Sequence, residues 1–274
     1  MYTSIHFQVI TINYMYRYSI CTIVLLRLFM TVLVLGATGA TGRLVVRELI
    51  SRGYHVKAIV RSLDRVESDL IDNNQVEVVV ASIVDLSEEQ LLFHVRGCEA
   101  VICCLGHNLT LKGIYGQPRK LVADTTKRIC RAVAELKPLQ PVKFVLMSTS
   151  GYQNSLSGES VSWMHKMVIQ LLRKTMPPHV DNEEAAQYLQ YNISGSKHPL
   201  QWVAVRPDSL VDLPFKTEFS VHPSPLSDPI FASKESSRIN VASFMVELIC
   251  SPQIWSIWKN EMPVLYNDQE SINV

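Results

Sequence analysis

Three glycines recur at every third position between an apolar run and a helix-like segment. Gly36, Gly39 and Gly42 follow the run 31–35, and the residues after them, 43–50, have the apolar spacing of a helix. Glycines at this spacing allow a tight turn, let backbone N–H groups approach an anion, and let the new helix pack on the strand. The helix N-terminus carries partial positive charge that favours phosphate. The stretch predicts a dinucleotide site; a loop that only needs positive φ angles is the alternative.

Other residues of this turn, and an arginine beyond it, refine the prediction. Thr38, Ala40 and Thr41 lie inside the turn and belong to the predicted site. Dinucleotide sites usually place an acidic residue at the end of the second strand for the ribose 2′-hydroxyl, and an arginine there binds a 2′-phosphate instead. This chain has Arg61 at that point, and Arg43 directly follows the last glycine. The pattern favours NADP(H) over NAD(H), unless both arginines are solvated surface residues.

Polar residues also follow the fourth and fifth predicted strands. Ser148, Thr149 and Ser150 come after one strand, and His107 comes after the other. Ligands of open α/β sheets bind at the carboxyl ends of the strands. We therefore expect Ser150, Thr149 and His107 to face the nicotinamide as candidate site residues, with His107 able to donate a proton because histidine exchanges protons near neutral pH. The alternative is that these groups only satisfy backbone atoms or contact solvent.

Three neighbouring positions complete the predicted cofactor site. Leu105 and Gly106 precede His107, and Ser148 ends the fifth strand. By the same edge argument they should line the cofactor.

Composition excludes several classes of partner. Of the 274 residues 47% are hydrophobic, which suffices for one α/β domain. The chain has 26 basic and 25 acidic residues. The net charge of +1 gives no general attraction to nucleic acid or to an anionic membrane. No His, Cys and Asp cluster has the spacing of metal ligands. We expect a small-molecule acceptor as partner, no nucleic acid and no metal.

Six cysteines lack a C-x-x-C pair or regular spacing. This usage indicates reduced thiols and a cytoplasmic protein. Cys103 and Cys104 are adjacent. Two small buried residues on a central strand are the favoured interpretation, and a redox pair is the alternative.

The first 29 residues differ from the rest. They contain no Asp or Glu, carry Arg17 and Arg27, and include the apolar run 20–26. That run is shorter than the roughly 20 residues that span a bilayer, so no stable membrane insertion is predicted. The favoured explanation is that Met30 is the natural start and that residues 1–29 are an artefact of an upstream start codon; an organelle targeting peptide is the alternative.

Strand-like and helix-like segments alternate from Met30 onward. Predicted strands cover 31–35, 55–60, 76–80, 100–104, 142–148, 201–206 and 263–266. Predicted helices cover 42–52, 63–73, 87–96, 118–137, 163–174, 181–189 and 238–250. A proline-rich stretch from about 207 predicts a loop or lid. The order predicts an α/β fold with a doubly wound parallel sheet, as one domain over 30–274 with a small C-terminal substrate-side region.

These motifs together resemble an atypical short-chain dehydrogenase/reductase of the NmrA-like, NAD(P)-binding type, which includes flavin reductase (biliverdin reductase B). The motifs that carry the resemblance are 36–43, 60–61, 101–106, 144–151, 202–207 and 237–242. It implies a Rossmann-type fold, and a hydroxyl at the end of the fifth strand, Ser150 or Thr149, that orients the hydride acceptor.

The chain departs from the family pattern in two places. Ala81-Ser82 replaces the usual Gly-Asp after the third strand, so Ser82 would contact the adenine more weakly. The Tyr-x-x-x-Lys pair is missing, because Tyr152, Tyr188 and Tyr191 are not followed by lysine four residues later. In ordinary members that lysine lowers the tyrosine pKa for proton transfer. Carbonyl–alcohol chemistry of the ordinary kind is therefore not expected.

Two functions stay open, with an enzyme favoured. The first is an NADP(H)-dependent oxidoreductase that passes hydride to a flavin, quinone or similar conjugated acceptor, because the cofactor supplies the chemistry. The second is a non-catalytic NAD(P)-binding sensor of the NmrA type, which would have a protein partner. A sugar-nucleotide epimerase or ether reductase is weaker, since those enzymes need a Tyr or Lys base.

Overall fold

Alternating strands and helices build one central sheet in the computed structural model, which describes residues 30–107, 116–159, 163–194 and 197–268. The predicted extension, residues 1–29, lies outside the described residues. Within these described ranges the ten strands are β1 Thr31–Leu35, β2 His55–Val60, β3 Val76–Val80, β4 Cys98–Cys103, β5 Val142–Met147, β6 Leu200–Pro207, β7 Ser209–Val211, β8 Phe219–His222, β9 Glu235–Ser237 and β10 Val264–Asn267.

Helices follow most strands. They are α1 Ala40–Ser51, α2 Ser68–Ile71, α3 Glu88–Val95, α4 Leu121–Leu136, α5 Trp163–Thr175, α6 Pro177–Tyr188, α7 Arg238–Cys250 and α8 Pro252–Trp258. A short π-helical stretch, Leu189–Ile193, extends α6.

The main sheet has eight strands in the order β3-β2-β1-β4-β5-β6-β10-β8. All neighbours pair parallel except β8, which pairs antiparallel with β10 at the edge. The chain order reverses between β1 and β4, where ligands of such sheets bind. This arrangement confirms the predicted doubly wound α/β fold.

Two apolar clusters cover the two faces of the sheet. One includes Leu91 of α3, Ile129 of α4 and Ala185 of α6. The other includes Val45 of α1 and Phe244 of α7. Helices on both faces explain why the strands read as continuous apolar runs rather than as alternating ones.

The adjacent cysteines belong to different faces. Cys103 packs in the first cluster and Cys104 in the second, and both are free thiols. Burial raises the pKa of Cys103 to about 12, so this thiol is protonated. The geometry supports the favoured interpretation of two small core residues.

Two predicted elements have a different form in the structure, the start of a third is displaced, and one helix was not predicted. The helix predicted at 63–73 is interrupted, because Val66 and Glu67 are extended and leave only a turn, Leu63–Arg65, and the short α2. The region after 207 is not only a loop, since β7, β8 and β9 form between its prolines and β8 joins the main sheet. The sequence pattern did not predict helix α8.

The third correction concerns Asp181. The helix predicted over 181–189 begins at Asp181, but α6 begins at Pro177, so Asp181 lies inside the helix. Proline at the first helical position is favourable because its missing N–H has no intrahelical partner to lose.

Among the described residues, no single helix has the length and apolarity to cross a membrane. The pair α7 and α8 meets both criteria jointly but is bent by 104°.

Candidate functional site

The glycine turn brings α1 and the loop after β4 very close to one another. Gly36 has a φ of +78°, and a Cβ there would lie 2.6 Å from the carbonyl oxygen of Cys104. A Cβ at Gly42 would lie 2.0 Å from the carbonyl oxygen of Gly36. Neither position tolerates a side chain, so the glycines serve the close approach that their spacing predicts.

The N-terminus of α1 fits an anionic group. Gly39 is the N-cap residue, so no cap side chain accepts from the helix, and the first turn contains no acidic residue. The backbone N–H groups at Ala40, Thr41 and Gly42 have no intrahelical acceptors, because the first turn of any helix lacks them. These amides and the helix dipole suit the pyrophosphate of a dinucleotide.

A cavity of about 90 Å³ opens beside this turn, between α1 and the end of β2. Thr38, Arg43, Arg65 and the acidic Glu67 line it, together with apolar side chains. Arg61, which the sequence favoured, is exposed at the end of β2 and does not line it. Sequence reasoning missed Arg65, although it follows Arg61 by only four residues. Two guanidinium groups beside one cavity suit a phosphate group.

The remaining predicted cofactor residues lie along the same edge. Leu105 and Gly106 follow β4, and a Cβ at Gly106 would meet no atom within 4 Å. Ser82 follows β3, and its carbonyl oxygen accepts from the N–H groups of Asp85 and Leu86. Ser82 therefore shapes a turn next to the predicted adenine position.

Three hydroxyl residues follow β5, as predicted. The N–H groups of Ser148 and Ser150 donate to the carbonyls of Val205 and Pro207, so this segment runs beside the end of β6. Ser148 Oγ is buried and has no hydrogen-bond partner within the described part of the chain. An unpaired buried hydroxyl is costly, and a bound group at this edge would satisfy it.

Thr149 and Ser150 differ in their hydrogen bonds. Thr149 Oγ1 accepts from the N–H of Gly151 at 3.3 Å. Ser150 Oγ donates to Asp208 Oδ1 at 2.9 Å. Burial raises the pKa of Asp208, while hydrogen bonds from the Lys234 N–H and from Ser150 oppose the rise. Sequence reasoning missed Asp208.

His107 forms a buried pair with Asp181. Its Nε2 lies 2.7 Å from Asp181 Oδ2, and the side chains are 6% and 0% exposed. Asp181 also accepts from the N–H groups of Val122 and Ala123, each at 2.8 Å, in the first turn of α4. Asp181 thus caps α4 rather than its own helix, and it holds the His107 ring at the sheet edge.

A second histidine reaches the end of β5 from α6. A Cβ on Gly151 would lie 3.5 Å from His179 Nε2 and 3.6 Å from Thr149 Oγ1. The other ring nitrogen, Nδ1, lies 3.5 Å from Glu183 Oε1. No motif pointed to His179, because it lies 28 residues beyond Gly151.

Tyr152 is buried at the end of the segment that follows β5. Its hydroxyl and Gln190 Oε1 are 3.3 Å apart. Burial raises the Tyr152 pKa to about 12. The phenol therefore stays protonated at neutral pH.

A buried ion pair ties the loops around the site together. Arg206 is 0% and Glu159 6% exposed, and Arg206 Nη2 lies 2.6 Å from Glu159 Oε1. The same guanidinium donates to the carbonyls of Tyr152, Met262 and Pro223. The loop after β5 and the proline-rich region are thereby fixed to β6.

No group of three or more His, Cys, Asp or Glu side chains among the described residues is arranged to hold a metal ion.

Two plant proteins share a short region with the chain. A protein named high chlorophyll fluorescence phenotype 173, chloroplastic, of Arabidopsis thaliana is 42% identical over 74 residues, which are 27% of this chain and 12% of that protein. An uncharacterized chloroplastic protein of the same plant is 35% identical over 75 residues, 27% of each chain. The chain thus matches only a minor part of either relative.

Solved structures share the fold over most of the chain. A wide-type short-chain dehydrogenase/reductase from Veillonella parvula, in complex with NADP, has a TM-score of 0.62 at 17% identity, covering 88% of this chain and 95% of that one. A putative NADH-flavin reductase from Streptococcus pneumoniae scores 0.58 at 18% identity, covering 87% and 100%. An anaerobillin reductase from Escherichia coli O157:H7 scores 0.61 at 16% identity, covering 88% and 98%.

A family model described as NAD(P)H-binding matches residues 36–252, from the first glycine of the turn to the start of α8. That range contains the uncapped N-terminus of α1, the two arginines at the cavity and the hydroxyl residues after β5. The chain belongs to the NAD(P)H-binding family.

Proposed function

We propose that the protein is an NADPH-dependent reductase that transfers hydride to a flavin, a quinone or a similar conjugated acceptor. When bound, NADPH supplies two electrons as a hydride from the nicotinamide ring. The acceptor takes this hydride and one proton, and NADP⁺ is left. The residues of this chain would bind and orient the two molecules and deliver the proton.

The observation that carries the proposal is the convergence of two groups of residues at one edge. The glycine turn ends β1, while His107 follows β4 and Ser150 follows β5. These strands are neighbours in the sheet order β1-β4-β5. A cofactor bound at the turn would therefore extend along the edge that presents these side chains. Holding two reactants in one orientation is the main requirement of hydride transfer.

The arginines support NADPH over NADH. Arg43 and Arg65 line the cavity next to the turn, whereas Arg61 lies outside it. We propose that Arg65 and Arg43 hold the 2′-phosphate, with Arg61 at the periphery.

His107 is the proposed source of the proton. Asp181 orients its ring at 2.7 Å, and Asp181 is itself fixed by two amides of α4. A carboxylate that fixes the orientation and tautomer of a histidine is a common arrangement for acid–base chemistry. The pair would do what the missing Tyr-x-x-x-Lys pair does in other reductases.

The choice of acceptor rests on analogy. Two of the structural neighbours are described as a putative NADH-flavin reductase and an anaerobillin reductase. One name gives a flavin and the other an anaerobillin as the compound reduced, and neither protein exceeds 18% identity. Fold analogy supports this acceptor class without naming the molecule.

A non-catalytic NAD(P) sensor is the second candidate. Its supporting observation is that reactive groups are bonded within the protein: Ser150 to Asp208 and Tyr152 to Gln190. A sensor would bind oxidised and reduced cofactor, consume neither with any acceptor, and retain a protein partner in a pull-down.

Substitution of Ser150 tests the proposal. Ser150→Ala should slow NADPH oxidation by the preferred acceptor about tenfold, because one orienting hydrogen bond is lost. The affinity for NADPH should stay nearly constant. Ser256→Ala is the matched control, because Ser256 is exposed on α8 and its hydroxyl donates only to a carbonyl of its own helix. Equal oxidation rates for the wild type and Ser150→Ala would remove Ser150 from the mechanism.

The compartment is a separate proposal. Both plant relatives are named as chloroplastic, which supports the targeting-peptide explanation of residues 1–29 over a purely cytoplasmic protein. N-terminal sequencing of native material distinguishes them. A start near Met30 in an organelle fraction indicates cleavage, whereas the same start in the cytoplasm indicates that translation begins at Met30 and that the upstream codon is not used.

A further inference from the structure

The hydrogen-bond direction at Ser150 restricts what the site can bind. A hydroxyl has one hydrogen to donate and two lone pairs that accept. Ser150 Oγ lies 2.9 Å from Asp208 Oδ1. An ionised carboxylate only accepts, so the single hydrogen of Ser150 points to Asp208. No other hydrogen bond of this hydroxyl is present among the described residues.

Asp208 is held in place by other hydrogen bonds, so it remains the acceptor of the Ser150 hydrogen. Its second oxygen, Oδ2, accepts from the Lys234 N–H at 2.9 Å. Its own N–H donates to Ser236 Oγ at 2.9 Å, and Ser236 Oγ donates to the Leu265 carbonyl at 2.6 Å. Backbone and side chain of Asp208 are therefore both anchored between β6 and β9.

We propose that Asp208 is a positioning residue that makes Ser150 a hydrogen-bond acceptor, so that the site selects a substrate with an N–H or O–H donor beside its electrophilic ring. The inference rests on the proposed function, because it takes Ser150 to face the hydride acceptor. An imide N–H next to a ring carbonyl meets this requirement. A quinone, which offers only carbonyl oxygens, does not.

The test compares two flavins that differ in one hydrogen-bond donor. Lumiflavin carries an N–H at ring position N3, and N3-methyl-lumiflavin carries a methyl group there. We expect the wild-type protein to favour lumiflavin in kcat/KM by about two- to tenfold, the range of one neutral hydrogen bond. In Ser150→Ala the ratio should fall to about one, since no acceptor remains.

Asp208→Asn provides the sharper variant. The Lys234 N–H needs an acceptor, so the amide oxygen of the new side chain faces Lys234 and its NH₂ group faces Ser150. Ser150 Oγ would then accept from the amide and donate to the substrate. The preference for lumiflavin should shrink or invert, although the substitution changes only one atom and the charge.

A matched control separates the local effect of Asp208 from the general effect of removing one negative charge. Asp212→Asn is the same substitution a few residues away, on a side chain that is 74% exposed and paired with Arg238. It should leave the flavin ratio unchanged. A purely structural role of Asp208 would lower kcat/KM for both flavins equally and would leave their ratio at the wild-type value.

Binding gives a readout that does not depend on turnover. Quenching of flavin fluorescence gives Kd for each flavin with the NADP⁺-loaded protein. If neither flavin is reduced but their Kd ratio follows the expected pattern across the variants, the reductase proposal fails and the assignment of Ser150 stands. If both flavins behave alike in the wild type, or if neither binds, the assignment is overturned.

Discussion

His107 Nε2 and Asp181 Oδ2 lie 2.7 Å apart, and this contact joins the loop after β4 to helix α6. Because Asp181 also accepts from two amides at the start of α4, one buried carboxylate fixes three segments. The site edge at β4 therefore depends on a side chain that is distant in sequence.

Replacing that carboxylate should cost stability and activity together. Asp181→Asn keeps the shape but loses the charge and one acceptor, so the free energy of unfolding should fall by about 1–3 kcal/mol. NADPH oxidation should slow as well, because the His107 ring loses its anchor. Urea unfolding and single-turnover oxidation measure the two effects.

Glu184→Gln is the control for Asp181→Asn. Glu184 lies on the same helix and pairs with Lys120 at the surface. Its loss should change stability by no more than about 0.5 kcal/mol. Equal stabilities of the two variants would contradict the capping role of Asp181.

The arginines at the cavity should decide the choice between NADPH and NADH. Removing Arg65 or Arg43, as Arg65→Ser or Arg43→Ser, should weaken NADPH binding by roughly ten- to a hundredfold, the range of a charge-assisted hydrogen bond. NADH binding should hardly change, since it lacks the 2′-phosphate. Fluorescence titration with both cofactors measures the difference.

Arg61→Ser tests whether the 2′-phosphate binds at the cavity beside Arg65 or at the end of β2, where the sequence pattern placed it. The side chain is exposed at the strand end and lies outside the cavity, so its loss should change NADPH affinity less than the loss of Arg65. A larger loss for Arg61→Ser would assign the phosphate to the strand-end arginine instead.

Tyr152 should be dispensable for chemistry. Its hydroxyl is hydrogen-bonded with Gln190, and burial raises its pKa to about 12. Tyr152→Phe should leave the oxidation rate within about twofold and lower the free energy of unfolding by only about 1 kcal/mol. A large loss of turnover, with NADPH binding intact, would show that the phenol takes part in proton transfer.

Acidification should reduce the discrimination between the two flavins. Burial raises the pKa of Asp208, and Asp228 adds to the rise, whereas the Lys234 N–H and Ser150 oppose it. The Tyr266 hydroxyl also interacts with this carboxylate. At a pH above its pKa, Asp208 is ionised and accepts a hydrogen bond from the Ser150 hydroxyl. As the pH falls through that pKa, the protonated carboxyl becomes a donor, and the Ser150 hydroxyl is free to donate elsewhere.

The lumiflavin preference should therefore be present at neutral pH and decline on the acid side. Asp208→Asn should show no such decline, because its side chain does not titrate. A preference that stays constant down to the acid unfolding limit would contradict the role of the ionised carboxylate.

The sequence predicted features that depend on neighbours along the chain. The glycine spacing predicted the turn correctly, because the close approach of Gly42 to Gly36 arises within one strand–turn–helix unit. The approach of Gly36 to Cys104, after β4, depends on the folded sheet. The strands β1, β2 and β3 match their predicted bounds, since continuous apolar runs are typical of a sheet covered on both faces.

Features that depend on distant partners were missed or misassigned. Asp181 was expected at the start of its own helix, yet the amides that it caps lie 58 and 59 residues away. Asp208 gave no signal, because Ser150 lies 58 residues before it. Arg65 was overlooked because only the folded turn brings it to the cavity beside Arg43.

The most direct test of the account is the fate of protein-bound NADPH. Purified protein loaded with NADPH is mixed with flavins and quinones, and nicotinamide fluorescence is followed over time beside a protein-free control, with NADH in parallel. The account predicts a bound signal that decays faster than the control with at least one acceptor, and faster for NADPH than for NADH. A bound signal that stays flat with every acceptor would contradict the reductase and favour the sensor.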